Sequence, residues 1–130
     1  MKTSRRKFIA GLTATALLPP ALALGASKQS LVHHVFFWLK NLESADDLNQ
    51  LIEGIHTLKQ IKSVKKIKIG LPANTTKRDV IDDSYSVSLL TLFDDVRGHD
   101  AYQSHPVHLK FVENYSSLWS KVIVYDSMDI

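Results

Sequence analysis

Residues 31–40 read LVHHVFFWLK, a run of β-branched and aromatic side chains that is long enough to form one strand. Successive side chains of a strand point to opposite faces, so Val35 and Phe37 share one face while Phe36 and Trp38 share the other. Both faces are therefore apolar. This pattern predicts a strand that other parts of the protein cover on both sides.

Helix and strand patterns follow this first strand. Apolar residues recur at helical spacing in 45–60 and again in 106–118, where Pro106 suits the first helical position. The predicted elements after the first strand are, in chain order, a helix over 45–60, a strand over 64–71, a strand over 85–93, a short helix over 94–104, a helix over 106–118 and a strand over 121–126. The order β-α-β-β-α-β predicts an α+β fold, the ferredoxin-like sandwich, in which helices cover one face of a four-stranded sheet. Because the first strand is apolar on both faces, the uncovered sheet face predicts a second copy of the chain as its partner.

The first 23 residues differ in composition from the rest of the chain. SRRKFI at residues 4–9 resembles the twin-arginine signal motif, and the apolar segment after it is shorter than the ~20 residues that span a bilayer. Residues 1–23 are therefore predicted to be a twin-arginine-type signal peptide, with cleavage there or after Gly25; an ordinary secretory signal is the alternative. Either signal predicts a periplasmic or otherwise exported protein that meets the export machinery through residues 1–23 and has its domain at 31–127.

Charge and cysteine content exclude several function classes. The chain holds 16 Lys and Arg against 13 Asp and Glu, but four of the basic residues lie among the first seven. Beyond residue 23, 12 basic residues face 13 acidic ones, so no nucleic-acid partner is expected. The absence of cysteine excludes disulfides, thiolate metal sites and a cysteine nucleophile.

Three segments resemble one known family. HHVFFWLK at 33–40, YQSHPVH at 102–108 and WSKVIVYD at 119–126 resemble the first strand and the C-terminal signature of the stress-responsive A/B barrel domain family (Dabb). The resemblance covers about residues 31–126 and implies a dimeric α/β barrel, in which two ferredoxin-like chains pack their sheets together and each half encloses a pocket. One enzymatic member closes a polyketide by aldol chemistry without a cofactor. Its catalytic tyrosine and histidine match Tyr102 and His108, and one of its pocket histidines matches His33.

His108 and Tyr102 are accordingly the predicted catalytic residues. Helical spacing puts His108 on the inward face with Phe111 and Tyr115, where a neutral imidazole acts as a general base near neutral pH. Tyr102 would donate its O–H to a developing enolate oxygen. The structural alternative is a core histidine that hydrogen-bonds to Tyr102 and only satisfies both groups. The sequence leaves both readings open.

Five further residues are predicted to hold a ligand. They lie on the predicted strands and just after the last helix: His33, Val35, Phe37, Leu89 and Trp119. If the strand face of Val35 and Phe37 lines the barrel, His33 is the pocket residue and His34 lies beneath a helix, whereas a slip of one residue exchanges them.

No metal site and no cofactor are expected. His105 and His108 lie three residues apart, but zinc sites normally need a third protein ligand, and the neighbouring sequence shows no suitable pattern. His105 is predicted instead to begin the helix at Pro106.

Two functions from different classes fit these residues. The first is an exported dimeric barrel that binds a small apolar ligand and has no assigned activity. The second is a cofactor-free lyase or cyclase that uses His108 and Tyr102 as an acid/base pair on a carbonyl-bearing, polyketide-like substrate. One fold supports many functions, so the fold does not choose between them.

Overall fold

The computed structural model describes residues 29–130. Its regular elements are, in chain order, β1 (Leu31–Leu39), α1 (Ala45–Thr57), β2 (Lys66–Gly70), β3 (Val87–Phe93), α2 (Val96–Gln103), α3 (Pro106–Tyr115) and β4 (Trp119–Met128). Short 3₁₀ turns follow α1 at Leu58–Gln60 and α3 at Ser116–Leu118. The signal peptide predicted over residues 1–23 lies outside the described residues. Among the helices from residue 29 onward, none is long and apolar enough to cross a membrane.

The four strands form one antiparallel sheet in the order β2-β3-β1-β4. With the helices on one face of this sheet, the predicted α+β, ferredoxin-like arrangement is confirmed. β2, β3 and α2 each begin two residues later than predicted, and α1 and α3 each end three residues earlier, where 3₁₀ turns follow. β4 is instead longer than predicted, since it begins two residues before and ends two residues after 121–126. The reason is pairing: β4 lies beside β1 along almost its whole length, from Met128 opposite Leu31 to Trp119 opposite Leu39.

Helix α1 begins at a side-chain cap. The Ser44 hydroxyl accepts a hydrogen bond from the Asp47 backbone N–H at 3.1 Å, and two aspartates in the first turn suit the positive end of the helix. Its buried face carries Leu51 and Ile55 towards the sheet. Where α1 meets α3, the Tyr115 ring packs directly on Gly54. A Cβ at position 54 would lie 2.6 Å from that ring, so no larger residue fits there.

The two faces of β1 differ in what covers them. The residues at odd positions from 31 to 39 are buried under the helices, whereas those at even positions are only half-buried. His33 is therefore on the helix-covered face and His34 is not, so the expectation that His34 lies beneath a helix is wrong. The sequence could not settle this point, because both sides of β1 are apolar and the helices alone decide which side they cover.

The half-buried side of the sheet carries a group of aromatic residues, and we call it the open face. It includes His34, Phe36 and Trp38 of β1 with Ile123 and Tyr125 of β4. The ring of Phe36 lies 4.3 Å from that of His34 and 5.0 Å from that of Tyr85, centroid to centroid. An apolar sheet face of this kind stays partly solvated in a single chain.

Candidate functional site

A cavity of about 320 Å³ lies between the helix-covered face of the sheet and helices α2 and α3. All seven residues predicted for the site line it: His33, Val35, Phe37, Leu89, Tyr102, His108 and Trp119. The lining residues that were not predicted are Gln103, Phe111, Val112, Val122 and Val124. The structure therefore brings together residues from β1, β3, β4 and both helices around one space.

Three aromatic rings form one part of the cavity wall. Phe37 lies 5.0 Å from Trp119 and 6.2 Å from Phe111, and Phe111 lies 5.7 Å from Trp119, measured between ring centroids. Phe37 is 3% exposed, so this group also belongs to the core. Rings at such spacing provide a wall for a flat or aliphatic molecule.

Tyr102 lies between the two histidines of the cavity. It lies in the last turn of α2, whose first turn is capped by Asp95 through a 2.8 Å hydrogen bond from the Gly98 N–H. The Tyr102 ring lies 4.7 Å from that of His108 and 5.8 Å from that of His33. Tyr102 is 1% exposed, and burial raises the pKa of its hydroxyl well above the ordinary value, so the phenol keeps its proton at neutral pH.

His108 lies in the first turn of α3. This helix begins as predicted, with His105 as its cap: the His105 Nδ1 accepts from the Val107 N–H at 3.0 Å, and Pro106 follows directly. Burial lowers the pKa of His108 most, and the neighbouring His33 lowers it further. The Gln103 backbone raises this pKa by a smaller amount. The imidazole is consequently neutral at pH 7. Its Nδ1 is buried and finds no hydrogen-bond partner within residues 29–130.

His33 is held by a carboxylate that the sequence analysis did not assign to the site. His33 on β1 lies directly opposite Asp126 on β4, and its Nδ1 donates to the Asp126 Oδ1 at 2.6 Å. Burial lowers the pKa of His33 and outweighs the carboxylate, which raises it. The only sequence signal for Asp126 was its place at the end of the WSKVIVYD segment, because the partner of His33 depends on the strand register.

His99 is the second residue that sequence reasoning missed. Its ring lies 4.9 Å from that of His33, although it comes from α2. Its Nδ1 contacts the Asp100 carboxylate at 3.0 Å, and its Nε2 is buried without a hydrogen-bond partner in the described part of the chain. His99 precedes Tyr102 by three residues, so helical spacing to a predicted catalytic residue was the available signal.

Within residues 29–130, His33, His99 and Asp126 form a group that has the donor atoms to hold a metal ion. One ligand atom from each lies within 4.8 Å of those from the other two. The His105–His108 pair is less suited to this role, because His105 Nδ1 already caps α3.

The family description of the Stress Responsive A/B Barrel Domain matches residues 31–129. The chain belongs to the Dabb family. The matched range contains the whole sheet, α1 to α3, and every residue of the cavity. No curated protein sequence matches the chain.

Several solved structures share the Dabb fold of this chain. A Dabb family protein from Mesorhizobium loti has 21% identity and a TM-score of 0.64, and the match covers 78% of this chain and 98% of that one. A dimeric ferredoxin-like protein of unknown function from Thermobifida fusca has 18% identity and a TM-score of 0.62, with 78% and 92% covered. A hydroxynitrile lyase from Passiflora edulis has 19% identity and a TM-score of 0.65, with 78% and 94% covered. At these identities the likeness shows the fold.

Proposed function

We propose that this Dabb protein is an exported homodimer that binds a small, mostly apolar molecule with one carbonyl or similar polar group. The observation that carries the proposal is the composition of the cavity wall. His33, Tyr102 and His108 lie side by side, while the Phe37, Phe111 and Trp119 rings form an apolar wall near them. A few convergent polar groups in an otherwise apolar cavity are typical of small-molecule sites.

The cavity volume supports a ligand of modest size. At about 320 Å³ it lies at the lower end of the roughly 300–1,000 Å³ that small-molecule pockets occupy. His33 and His108 are neutral at pH 7 and Tyr102 is protonated, since burial disfavours their charged forms. A neutral organic ligand with a hydrogen-bond acceptor suits such a wall better than a charged organic ligand does.

The homodimer is supported by the open face and by relatives of the same fold. Phe36 and Trp38 are only half-buried and Tyr125 is exposed, and several neighbours, including the Thermobifida fusca protein, are described as dimeric. A second copy that packs its own open face there would bury both patches at once. The two sheets would then form the dimeric α/β barrel, with one ligand cavity in each chain.

Export is proposed from the sequence of residues 1–23. A cell fractionation experiment compares the natural chain with the variant that carries both Arg5→Lys and Arg6→Lys. The natural chain is expected in the periplasm without its first 23 to 25 residues, and the double variant is expected to stay in the cytoplasm. Equal export of both chains would leave an ordinary secretory signal instead.

Tryptophan fluorescence tests ligand binding, because the chain has two tryptophans and only Trp119 lines the cavity. Native mass spectrometry of the protein from its own envelope fraction first identifies a bound mass, and the extracted molecule is then titrated back. In the Trp38→Phe variant the remaining Trp119 emission should shift on binding. In the matched Trp119→Phe variant the remaining Trp38 emission should not respond. A response of Trp38 alone would place the ligand on the open face and contradict the proposal.

A second candidate function is a cofactor-free lyase or cyclase, and the protonation states in the cavity favour it. The neutral His108 imidazole can take a proton from the substrate, and the Tyr102 O–H can donate a hydrogen bond to a carbonyl oxygen as negative charge develops on it. His108 then returns the proton to the product or leaving group, so no cofactor is needed. The Passiflora edulis neighbour, a hydroxynitrile lyase, supports the suitability of this fold for lyase chemistry.

Conservative substitutions separate the second candidate from ligand binding alone. With carbonyl-bearing substrates, which include cyanohydrins and polyketide-like chains, Tyr102→Phe and His108→Gln should each lower turnover by about 100-fold or more. Both variants should keep the apolar wall and bind the ligand. If neither substrate class is turned over by the natural protein, or if both variants keep full turnover, the acid/base function is wrong.

A further inference from the structure

We propose that His33, His99 and Asp126 form a binding site for a divalent first-row transition metal ion, such as Zn²⁺, at the edge of the cavity. The residues come from β1, α2 and β4, and one ligand atom of each lies within 4.8 Å of the other two. Two imidazoles and one carboxylate are a donor set that such ions bind. This site goes beyond the proposed ligand binding and does not depend on it.

The distances require only small side-chain movements. Ligand atoms that bind one zinc ion at about 2.0–2.2 Å lie roughly 3.0–3.5 Å apart in a tetrahedral arrangement. The His33 Nδ1 and the Asp126 Oδ1 are now 2.6 Å apart and the widest separation in the group is at most 4.8 Å. Opening the first contact and closing the others takes side-chain movements of about 1 Å. Coordination through the His33 Nδ1 also requires the proton that it now donates to Asp126 to move to Nε2.

His99 offers a buried ring nitrogen that has no hydrogen-bond partner in the part of the chain that the structure describes. Its Nδ1 lies 3.0 Å from the Asp100 carboxylate, which can only accept a hydrogen bond, so Nδ1 is the donor in this contact and Nε2 is the ring atom left to bind an ion. The Nε2 then presents a lone pair, and this atom is buried without a hydrogen bond among residues 29–130. A histidine that donates its other N–H to a carboxylate is the usual arrangement around bound metal ions, because the carboxylate fixes the ring and raises its basicity.

The proposed metal site is shielded from water on one side and is open to solvent on the side of Asp126. Phe93 packs against His33 and His99 at 6.3 and 5.6 Å between ring centroids, which excludes water from that side. The Asp126 side chain is 45% exposed, whereas those of His33 and His99 are 6% and 16% exposed. An ion can therefore enter past Asp126. Three protein ligands also leave at least one coordination position for water or for an oxygen of a ligand in the cavity.

The test is calorimetric titration of Zn²⁺ into the full chain, without an affinity tag, after removal of metals with a chelator. We expect one ion per chain. Asp126→Asn keeps an acceptor for His33 but removes the carboxylate charge, and His99→Gln removes an imidazole; each should weaken Zn²⁺ binding by more than 10-fold. Asp100→Asn should weaken binding by about 10-fold through the orientation of His99. Circular dichroism checks that each variant is folded.

His56→Gln is the matched control, because His56 is an exposed histidine on α1, away from the three proposed ligands. It should bind Zn²⁺ like the natural chain. If His56→Gln removes binding, or if His99→Gln and Asp126→Asn leave it unchanged, the ion is held elsewhere and the proposal is wrong. The proposal is equally wrong if the natural chain binds no ion.

Cobalt provides a second readout that reports on the ligands themselves. Co²⁺ bound by two imidazoles and one carboxylate in four- or five-fold coordination should give visible absorption bands that Asp126→Asn removes. The tryptophan assay for the apolar ligand is run with chelator present, so its result stands apart from that of the metal titration. A negative result for the apolar ligand therefore says nothing against the metal site, and a negative result for Zn²⁺ says nothing against the apolar ligand.

Discussion

The two faces of β1 carry similar side chains and meet different surroundings. Phe37 lies on the helix-covered face, is 3% exposed and packs against Phe111 and Trp119. Its neighbour Phe36 points to the open face, is half-buried and lies next to the rings of Tyr85 and Tyr125. Composition alone does not separate them. One face belongs to the core and the cavity of a single chain, and the other is suited to contact between chains.

The largest effect should come from Phe37→Ala. Loss of a fully buried phenylalanine removes its transfer free energy and leaves a cavity, so the free energy of unfolding should fall by about 3–5 kcal/mol. Phe36→Ala, measured at protein concentrations low enough to exclude association, should cost about 1 kcal/mol or less. Urea denaturation gives both values. Equal losses would mean that the two faces do not differ in burial as described.

Phe36→Asp should act on association rather than on folding. A carboxylate placed within an apolar interface must lose its hydration or keep the chains apart, so the dimer dissociation constant should rise by about 100-fold or more. Sedimentation or light scattering over a dilution series measures this change. Leu109→Asp is the control, because Leu109 is an exposed apolar residue on α3 and not on the open face. A weakened dimer in both variants would place the contact elsewhere.

A pair of glycines repeats the comparison on a smaller scale. Gly54→Ala puts a Cβ 2.6 Å from the Tyr115 ring on the helix side, and this overpacking should cost about 1–3 kcal/mol. Gly70 pairs with Ser88, which also lies opposite Phe36 of the open face, and a Cβ there would meet only the Ser88 hydroxyl at 3.1 Å. That hydroxyl can rotate away, so Gly70→Ala should change stability by less than about 0.5 kcal/mol. Thermal unfolding measures the stability of the two variants. A greater loss of stability for Gly70→Ala than for Gly54→Ala would contradict this prediction.

The smallest effect should be a pH dependence that comes from His108. Its pKa in the folded chain is lower than the ordinary value of 6.5, so the unfolded chain binds the proton more tightly. The stabilisation is fully present above pH 6.5 and is lost as the pH falls from there through the lower folded-state pKa. Urea denaturation between pH 7.5 and 5 should show a smaller loss for His108→Gln than for the natural chain. Tyr102→Phe, which removes no group that titrates in this range, should lose stability as the natural chain does.

The sequence predicts the elements and their order because local patterns carry that information. The continuous run of β-branched and aromatic residues in β1, the apolar stripe of α1 and the HisPro start of α3 each depend on neighbouring residues alone. The cavity residues Tyr102 and His108 come from the family resemblance of one short segment. By contrast, the contacts of His33 with Asp126 and His99 require the β1–β4 register and the placement of α2 on the sheet. Both depend on tertiary structure, which is why the sequence did not assign Asp126 and His99 to the site.

The strand order has a consequence for how the chain acquires its structure during synthesis. β1 lies between β3 and β4, and its partner Asp126 is 93 residues beyond His33. Until Trp119–Met128 emerges from the ribosome, β1 has one unpaired edge, and LVHHVFFWL is the kind of apolar segment that pairs with other nascent or misfolded chains. The sheet is therefore complete only after the last strand has joined, and folding should take milliseconds to seconds, as is usual for sheets built from distant segments. A chain that ended before β4 would lose that protection permanently and should aggregate.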